Sequence, residues 1–154
     1  MAIVACSGGD KNAQQTSATQ NDTAAAPATQ NTGAATTPAA TAPITGTIHE
    51  VKMIGDGQTY KFDPANVTIK KGDGIKWIMV TGGPHNVAFL NVPDAAKGQL
   101  SANMQNQMKE LTSPMMMNAN ENYIVSFANV PAGKYDYHCE PHAAMGMTGS
   151  VTVQ

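Results

Sequence analysis

Apolar, aromatic and β-branched residues are concentrated in eight short segments between residue 47 and the C-terminus. Gly, Pro, Asn and Asp stand between these segments, which are TIHEVKMI, TYKFD, NVTIK, GIKWIMVT, HNVAFL, NYIVSFANV, GKYDYHC and GSVTVQ. Several short strands bounded by turn residues are typical of antiparallel sandwiches and barrels. The pattern therefore predicts an all-β domain.

One segment, from Pro93 to Met117, departs from this strand pattern. Within it Leu100, Met104, Met108 and Leu111 recur at the spacing of one helix face, with polar residues between them. We predict a short amphipathic helix here, in a methionine-rich insertion packed on the sandwich.

The N-terminal part of the chain has a different composition. From Ser7 to Pro43 it consists almost entirely of Ala, Thr, Gln, Asn, Ser, Gly and Pro, and it lacks aromatic residues. Such a segment buries too little apolar surface to offset the entropy of ordering it. We therefore predict a lipobox-like start and flexible linker over residues 1–44, and one folded domain over residues 45–154.

Charge and hydropathy exclude two classes of function. The net charge is −2, and the nine basic residues are all Lys. Without a basic stripe or Arg side chains, nucleic-acid binding is not expected. No apolar run reaches the ~20 residues of a membrane-spanning helix. A monomer is expected.

The stretch IVAC that ends at Cys6 resembles the lipobox of bacterial lipoproteins, whose cysteine receives a lipid anchor. Only five residues precede Cys6, too few for a secretory signal. Either the natural start lies upstream, or Cys6 is an ordinary exposed thiol in the tail. In the first case the linker would tether the domain to a membrane surface, in the periplasm or on another extracytoplasmic face.

The stretch CEPHAAMGM at 139–147 concentrates soft metal donors. Thiolate and thioether suit copper, and two His, one Cys and a weak axial Met describe a blue-copper electron-transfer site. His85, after TGGP, is the natural second histidine. The residues alone leave Met145 and Met147 as equal candidates, and they leave open a zinc site that uses the same Cys and His donors.

The two remaining histidines are expected to lie outside the metal site. His49 lies in a predicted strand among polar neighbours, so we expect it to face solvent. His138 directly precedes Cys139, and neighbouring strand residues point to opposite faces. It is therefore not expected to share a metal with that cysteine.

Four stretches together resemble plastocyanin and the wider cupredoxin family: EVKMIGDGQTYKFDPANVTIKKGD, GGPHNVAF, AGKYDYHCEPHAAMGM and GSVTV. The lipobox-like start is similar to tethered bacterial members such as the auracyanins. The resemblance implies a Greek-key β-sandwich, here with the short helical insertion, that binds one copper at one end. It implies type 1 (blue) copper electron transfer.

The resemblance also assigns the site, residue by residue. The implied copper ligands are His85, Cys139, His142 and Met147. Met147 follows Gly146, as the ligating methionine of plastocyanins follows a glycine, so Met145 is predicted not to bind the metal. Asn86 matches the family asparagine that ties the two ligand loops together. Tyr60 and Met145 are expected in the apolar docking patch around His142.

The expected function is therefore one-electron transfer at the cell envelope between a redox protein donor and acceptor, such as a cytochrome, a membrane complex, a reductase or an oxidase. A closed four-ligand set has no exchangeable position for substrate, so no enzyme activity is expected. The methionines of the insertion leave one alternative open, a copper trafficking or storage protein of the periplasm or cell surface, because thioethers bind Cu(I).

Overall fold

The computed structural model describes residues 41–154, and these residues form two packed β-sheets. The strands are β1 (Ile48–Gly55), β2 (Tyr60–Asp63), β3 (Asn66–Ile69), β4 (Gly74–Met79), β5 (Ala88–Leu90), β6 (Asn122–Ser126), β7 (Gly133–His138) and β8 (Thr148–Val153). Each of the eight segments that the sequence marks as strands overlaps one of them. The all-β prediction is confirmed.

Each sheet has four strands. The first has the order β2-β1-β4-β6 and the second has the order β3-β8-β7-β5. The β1–β4 and β3–β8 pairs are parallel, and the other pairs are antiparallel. Both sheets are therefore mixed, and their apolar faces meet in one core.

Strand β7 shows how alternation directs side chains into this core. Tyr135, Tyr137 and Cys139 are buried at every second position, whereas Lys134 and Asp136 are exposed. Cys139 directly follows the strand and continues its inward series, because successive strand residues point to opposite faces. The thiol therefore reaches the end of the core.

The centre of the core is aromatic. The Trp77 ring meets Phe89 and Tyr137 edge to face, with centroid distances of 6.1 and 5.4 Å, and Phe62 meets Tyr137 at 4.8 Å. Edge-to-face pairs of this kind each contribute about 0.5–1.5 kcal/mol beyond their buried area. These contacts join the two sheets below the ligand-bearing end of β7.

The helix of the insertion, α1, spans Asp94–Asn103 and buries Ala96 and Leu100. Its existence matches the prediction, but its extent does not, since the chain is already extended at Met104. Gln107 donates hydrogen bonds to the carbonyls of Ser101 and Met104. Such side-chain bonds to the backbone compete with helix formation. Met104 is buried, and Met108 is exposed outside any helix.

The rest of the insertion pairs with the chain that leads into β5. His85 and Met116 exchange two backbone hydrogen bonds of 3.0 and 2.8 Å, and the Phe89 N–H donates to the Leu111 carbonyl. Residues 85–89 therefore run beside the insertion, and β5 begins at Ala88 within this stretch. The methionine-rich segment is thus the neighbour of the first histidine of the site.

The described chain already contacts α1 at its first residues. The Thr41 hydroxyl donates to the Ala102 carbonyl, and the N–H of the buried Ala42 donates to Asn103 Oδ1 at 2.9 Å. Packing therefore begins before residue 45. Cys6 and most of the predicted linker lie outside the described residues.

The helices within residues 41–154 include none with the length and apolar character to span a bilayer.

Candidate metal centre

Three donor side chains converge at one end of the sandwich. Cys139 Sγ lies 3.6 Å from His85 Nδ1 and 3.4 Å from His142 Nδ1. The three donor atoms all lie within 4.8 Å of one another, and the three residues are buried. Within residues 41–154, this is the cluster of His, Cys, Asp or Glu side chains arranged to hold a metal ion.

The loop after β7 brings two of these donors together. Cys139 precedes a 3₁₀ segment, Glu140–Met145, that carries His142. The segment ends at Gly146, whose φ of 81° is left-handed and favours glycine. The chain then turns back, so that the Met147 N–H donates to the His142 carbonyl and the Cys139 N–H donates to the Met147 carbonyl.

The tautomer of His85 follows from its partner. Its Nε2 lies 2.8 Å from the Thr81 carbonyl oxygen, which can only accept a hydrogen bond. Nε2 therefore carries the proton, and the Nδ1 lone pair faces the Cys139 sulfur. Burial lowers the pKa of His85, and burial, together with the repulsion that a protonated His85 would exert, lowers the pKa of His142. Both rings are therefore neutral at physiological pH.

The Cys139 thiol is held in a largely apolar setting. Burial raises its pKa, while hydrogen bonds from the backbone N–H groups of Asn86 and His142 oppose that rise. A metal ion binds the thiolate, so the site exchanges a proton for a cation. A thiol and two imidazole lone pairs in a buried cluster fit the donor preferences of copper.

The two candidate methionines differ in exposure. Met147 is fully buried, and its backbone is bonded to both Cys139 and His142. The side chain of Met145 is 56% exposed beside the same loop. Burial thus distinguishes two residues that the sequence alone leaves equivalent.

Asn86 joins the two loops that carry the donors. Its side chain is fully buried, its Nδ2 donates to Glu140 Oε2, and its Oδ1 accepts from the Glu140 N–H, both at 2.8 Å. Asn86 directly follows His85, and Glu140 directly follows Cys139. The two hydrogen bonds therefore tie the two ligand loops together.

Tyr60 covers the outer histidine. Its ring stacks on the His142 imidazole with a centroid distance of 3.8 Å and an interplanar angle of 12°, and it meets His85 edge to face at 6.2 Å. Tyr60 opens β2 next to the site, so the first sheet contributes one ring to the metal-binding end.

The other two histidines lie away from the cluster. His49 Nε2 lies 2.9 Å from Asp73 Oδ2, and its side chain, expected to face solvent, is 32% exposed. His138 pairs with Ala88 and Thr148 across the second sheet and is partly buried.

Three residues near the site were not predicted from the sequence. Thr81 acts through its backbone carbonyl, which leaves no side-chain signal. Glu140 stands inside the CEPH motif, and its place beside Cys139 was a usable signal. Lys109 contacts Glu140 across 31 positions of sequence, which no local pattern reveals.

A β-sandwich with one cysteine and two histidines clustered at one end defines a protein of the cupredoxin class. A sequence profile described as "Copper binding proteins, plastocyanin/azurin family" matches residues 49–154. The chain belongs to this family, and copper is its cofactor.

Individual relatives agree with this assignment. The plastocyanin of Nostoc punctiforme is 36% identical over 107 residues, which cover 69% of this chain and 73% of that protein. A plastocyanin from a Synechococcus strain is 35% identical over 113 residues, 72% of this chain and 76% of that protein. Oxidised plastocyanin from Dryopteris crassirhizoma has the same fold, with a TM-score of 0.53 and 19% identity, covering 69% of this chain and all of that one. The predicted family and fold class are confirmed.

Proposed function

We propose that this protein is a one-electron carrier whose single copper is held by His85, Cys139, His142 and Met147. The observation that carries the proposal is the convergence of two imidazole Nδ1 atoms on one buried thiol, at 3.4 and 3.6 Å. Copper bound there supplies the Cu(II)/Cu(I) couple. The protein is a carrier and not an enzyme, in keeping with its family.

The protein's contribution is to hold the donors still. The Thr81 carbonyl fixes the His85 ring, and Asn86 fixes the two ligand loops relative to each other. Met147 is fully buried, and its backbone is hydrogen-bonded to both Cys139 and His142, which supports it as the fourth ligand. Rigid donors favour fast electron exchange, because little has to move between the two oxidation states.

His142 is the proposed route for the electron, because it is the most exposed of the four proposed copper ligands. Its neighbours Tyr60 and Met145 are uncharged, and Met145 is largely exposed. Val80 and Met117 are also exposed, next in sequence to the Thr81 and Met116 that contact His85. This apolar rim is suited to brief docking of a redox protein that donates or accepts the electron.

We also place the carrier outside the cytoplasm, as a monomer tethered through a lipidated Cys6 with residues 1–44 as its linker. The lipobox-like start and the polar composition of residues 7–43 support this arrangement. Cleavage and mass analysis of the N-terminal peptide from membranes of the native host tests it. A peptide with an unmodified Cys6 would contradict the tether and leave the carrier function intact.

The visible spectrum tests the copper assignment. Full-length protein reconstituted with Cu(II) is expected to show an intense thiolate-to-copper charge-transfer band, and Cys139→Ser is expected to abolish it. The matched control is Ser150→Ala, which removes a buried hydroxyl that donates to Asn66 Oδ1 and is not a metal ligand, and which should leave the band unchanged. A colourless one-to-one complex of the unmodified protein with Cu(II) would contradict the proposal.

A further inference from the structure

The insertion contacts both loops that carry the metal donors. The Ser113 N–H donates to the Val87 carbonyl, and the Ser113 hydroxyl oxygen accepts from the Val87 N–H, both at 2.9 Å. Four residues earlier, Lys109 reaches the other loop, where its Nζ lies 2.6 Å from Glu140 Oε1. The insertion therefore has a charged contact beside the cysteine as well as a backbone contact beside the first histidine.

Both carboxylate oxygens of Glu140 are engaged. Oε1 accepts from Lys109, and Oε2 accepts from Asn86 Nδ2 at 2.8 Å. The Glu140 N–H in turn donates to Asn86 Oδ1. Glu140 thus holds the Asn86 amide at both ends, and Lys109 holds the carboxylate that makes one of these two contacts.

Asn86 connects this chain of contacts to the metal ligands. It directly follows His85, whose Nδ1 lies 3.6 Å from Cys139 Sγ, and Glu140 directly follows Cys139. The Lys109 ammonium lies against the Glu140 carboxylate and balances its charge.

We propose that Lys109 is a positioning residue of the metal centre, which holds the Glu140 carboxylate so that Glu140 and Asn86 keep the loops of Cys139 and His85 in place. The proposal rests on the copper site described above. Groups that orient the immediate ligands of a metal tune its affinity and potential. Through Lys109, the insertion becomes part of the site without donating a ligand.

The effect is expected at the metal centre and not in overall stability. The side chain of Lys109 is 66% exposed and that of Glu140 is 28% exposed, and ion pairs of this kind contribute little to folding. Unfolding of the apo-protein by urea should therefore be the same in the parent and in Lys109→Gln. A change in the reduction potential or in the rate of copper loss, with no change in the free energy of unfolding, therefore separates positioning from general stabilisation.

The experiment compares full-length parent, Lys109→Gln, Lys109→Arg and Lys134→Gln. Lys134 is the matched control, since it forms a similarly exposed ion pair with Asp136 and lies at the start of β7, away from the cysteine end. The measurements are the reduction potential, the rate of copper loss to a chelator, and the exchange of the Asn86 side-chain NH₂ protons in the apo-protein by NMR.

In Lys109→Gln we expect a lower potential, because the oxidised site carries the greater positive charge and an unbalanced carboxylate stabilises it. We expect copper loss to be about two- to fivefold faster, below the 10–100-fold typical of groups that contact a ligand directly. Asn86 NH₂ exchange should also be faster. Lys109→Arg should restore all three readings, and Lys134→Gln should resemble the parent.

Equal shifts of the potential in Lys109→Gln and Lys134→Gln would overturn the proposal, because they would reflect net charge alone. An altered potential with unchanged Asn86 exchange would also overturn it, since the carboxylate would then act without positioning the amide. The spectrum of the parent separates the two levels of inference. A parent without the charge-transfer band removes the copper site, whereas a blue parent with an unaltered Lys109→Gln removes only the role of Lys109.

Discussion

The Tyr60 ring lies almost parallel to the His142 imidazole, with 3.8 Å between the centroids. The two residues are 82 positions apart in sequence and belong to different parts of the sandwich. The stack limits rotation of the imidazole and covers one of its faces. The His142 ring is therefore supported by Tyr60 of the first sheet as well as by its own loop.

Replacing Tyr60 tests this support. Tyr60→Ala removes the stack, and we expect the apo-protein to lose about 0.5–1.5 kcal/mol beyond the lost burial, from the value typical of aromatic pairs. Tyr60→Phe retains the ring and is the control. Urea unfolding of the two apo-variants measures the difference, and equal losses would show that the stack contributes nothing.

Replacing each methionine of the ligand loop separates the two positions. Met147→Ala should alter the charge-transfer spectrum and cost about 2–5 kcal/mol, because it opens a cavity in a fully buried position. Met145→Ala should leave the spectrum unchanged, cost under about 0.5 kcal/mol and slow electron exchange with a redox partner. A changed spectrum in Met145→Ala would reverse the assignment.

Copper uptake should release one proton per site at pH 7 to 8. The pKa values of His85 and His142 are lowered, so both rings are already neutral there, whereas the raised pKa of Cys139 keeps the thiol protonated. Calorimetric titration of the apo-protein in buffers of different ionisation enthalpy measures the proton count. A count near zero would indicate a thiolate in the apo-protein.

Acid should destabilise the fold through Asp73. The His49 side chain and the Lys70 and Thr47 N–H groups lower the pKa of Asp73 to about 2. A lowered pKa stabilises the fold above the unfolded value, and this contribution disappears as the pH falls from about 4 to 2. Asp73→Asn should lose roughly 1–2 kcal/mol at pH 7.

The pH profile of unfolding checks this assignment. Between about pH 4 and pH 2, Asp73→Asn should lose less stability than the parent, because the titrating carboxylate is absent. Asp94→Asn, at an exposed carboxylate, is the control and should follow the parent. Parallel profiles for the parent and Asp73→Asn would show that other groups determine the acid sensitivity.

The methionines of the insertion allow a test of copper storage. Met104 and Met116 are core residues, with 3% and 4% of their surface exposed. We therefore expect apo-protein to bind one equivalent of Cu(I), and Met108→Leu with Met117→Leu to leave that value unchanged. Uptake beyond one equivalent that these substitutions abolish would support the storage alternative.

Local regularities of the chain were sufficient to predict the strands and the donors of one loop. Strand periodicity depends on neighbouring residues, and the close spacing of Cys139, His142 and Met147 survives folding because one short loop carries all three. The helix was predicted in the correct region but with the wrong end. The apolar spacing continues to Leu111, whereas the helix ends at Asn103. There the Gln107 side chain donates hydrogen bonds to the backbone carbonyls of Ser101 and Met104.

The sequence by itself therefore determined the all-β class, the family and the chemistry of the donors. Only the tertiary structure decided what supports those donors: the Tyr60 stack on His142, the Thr81 carbonyl that sets the His85 tautomer, and the ion pair of Lys109 with Glu140. These contacts depend on how sheets and loops pack, and most of them join residues far apart in the chain. No local periodicity encodes them, because their partners become neighbours only when the core forms.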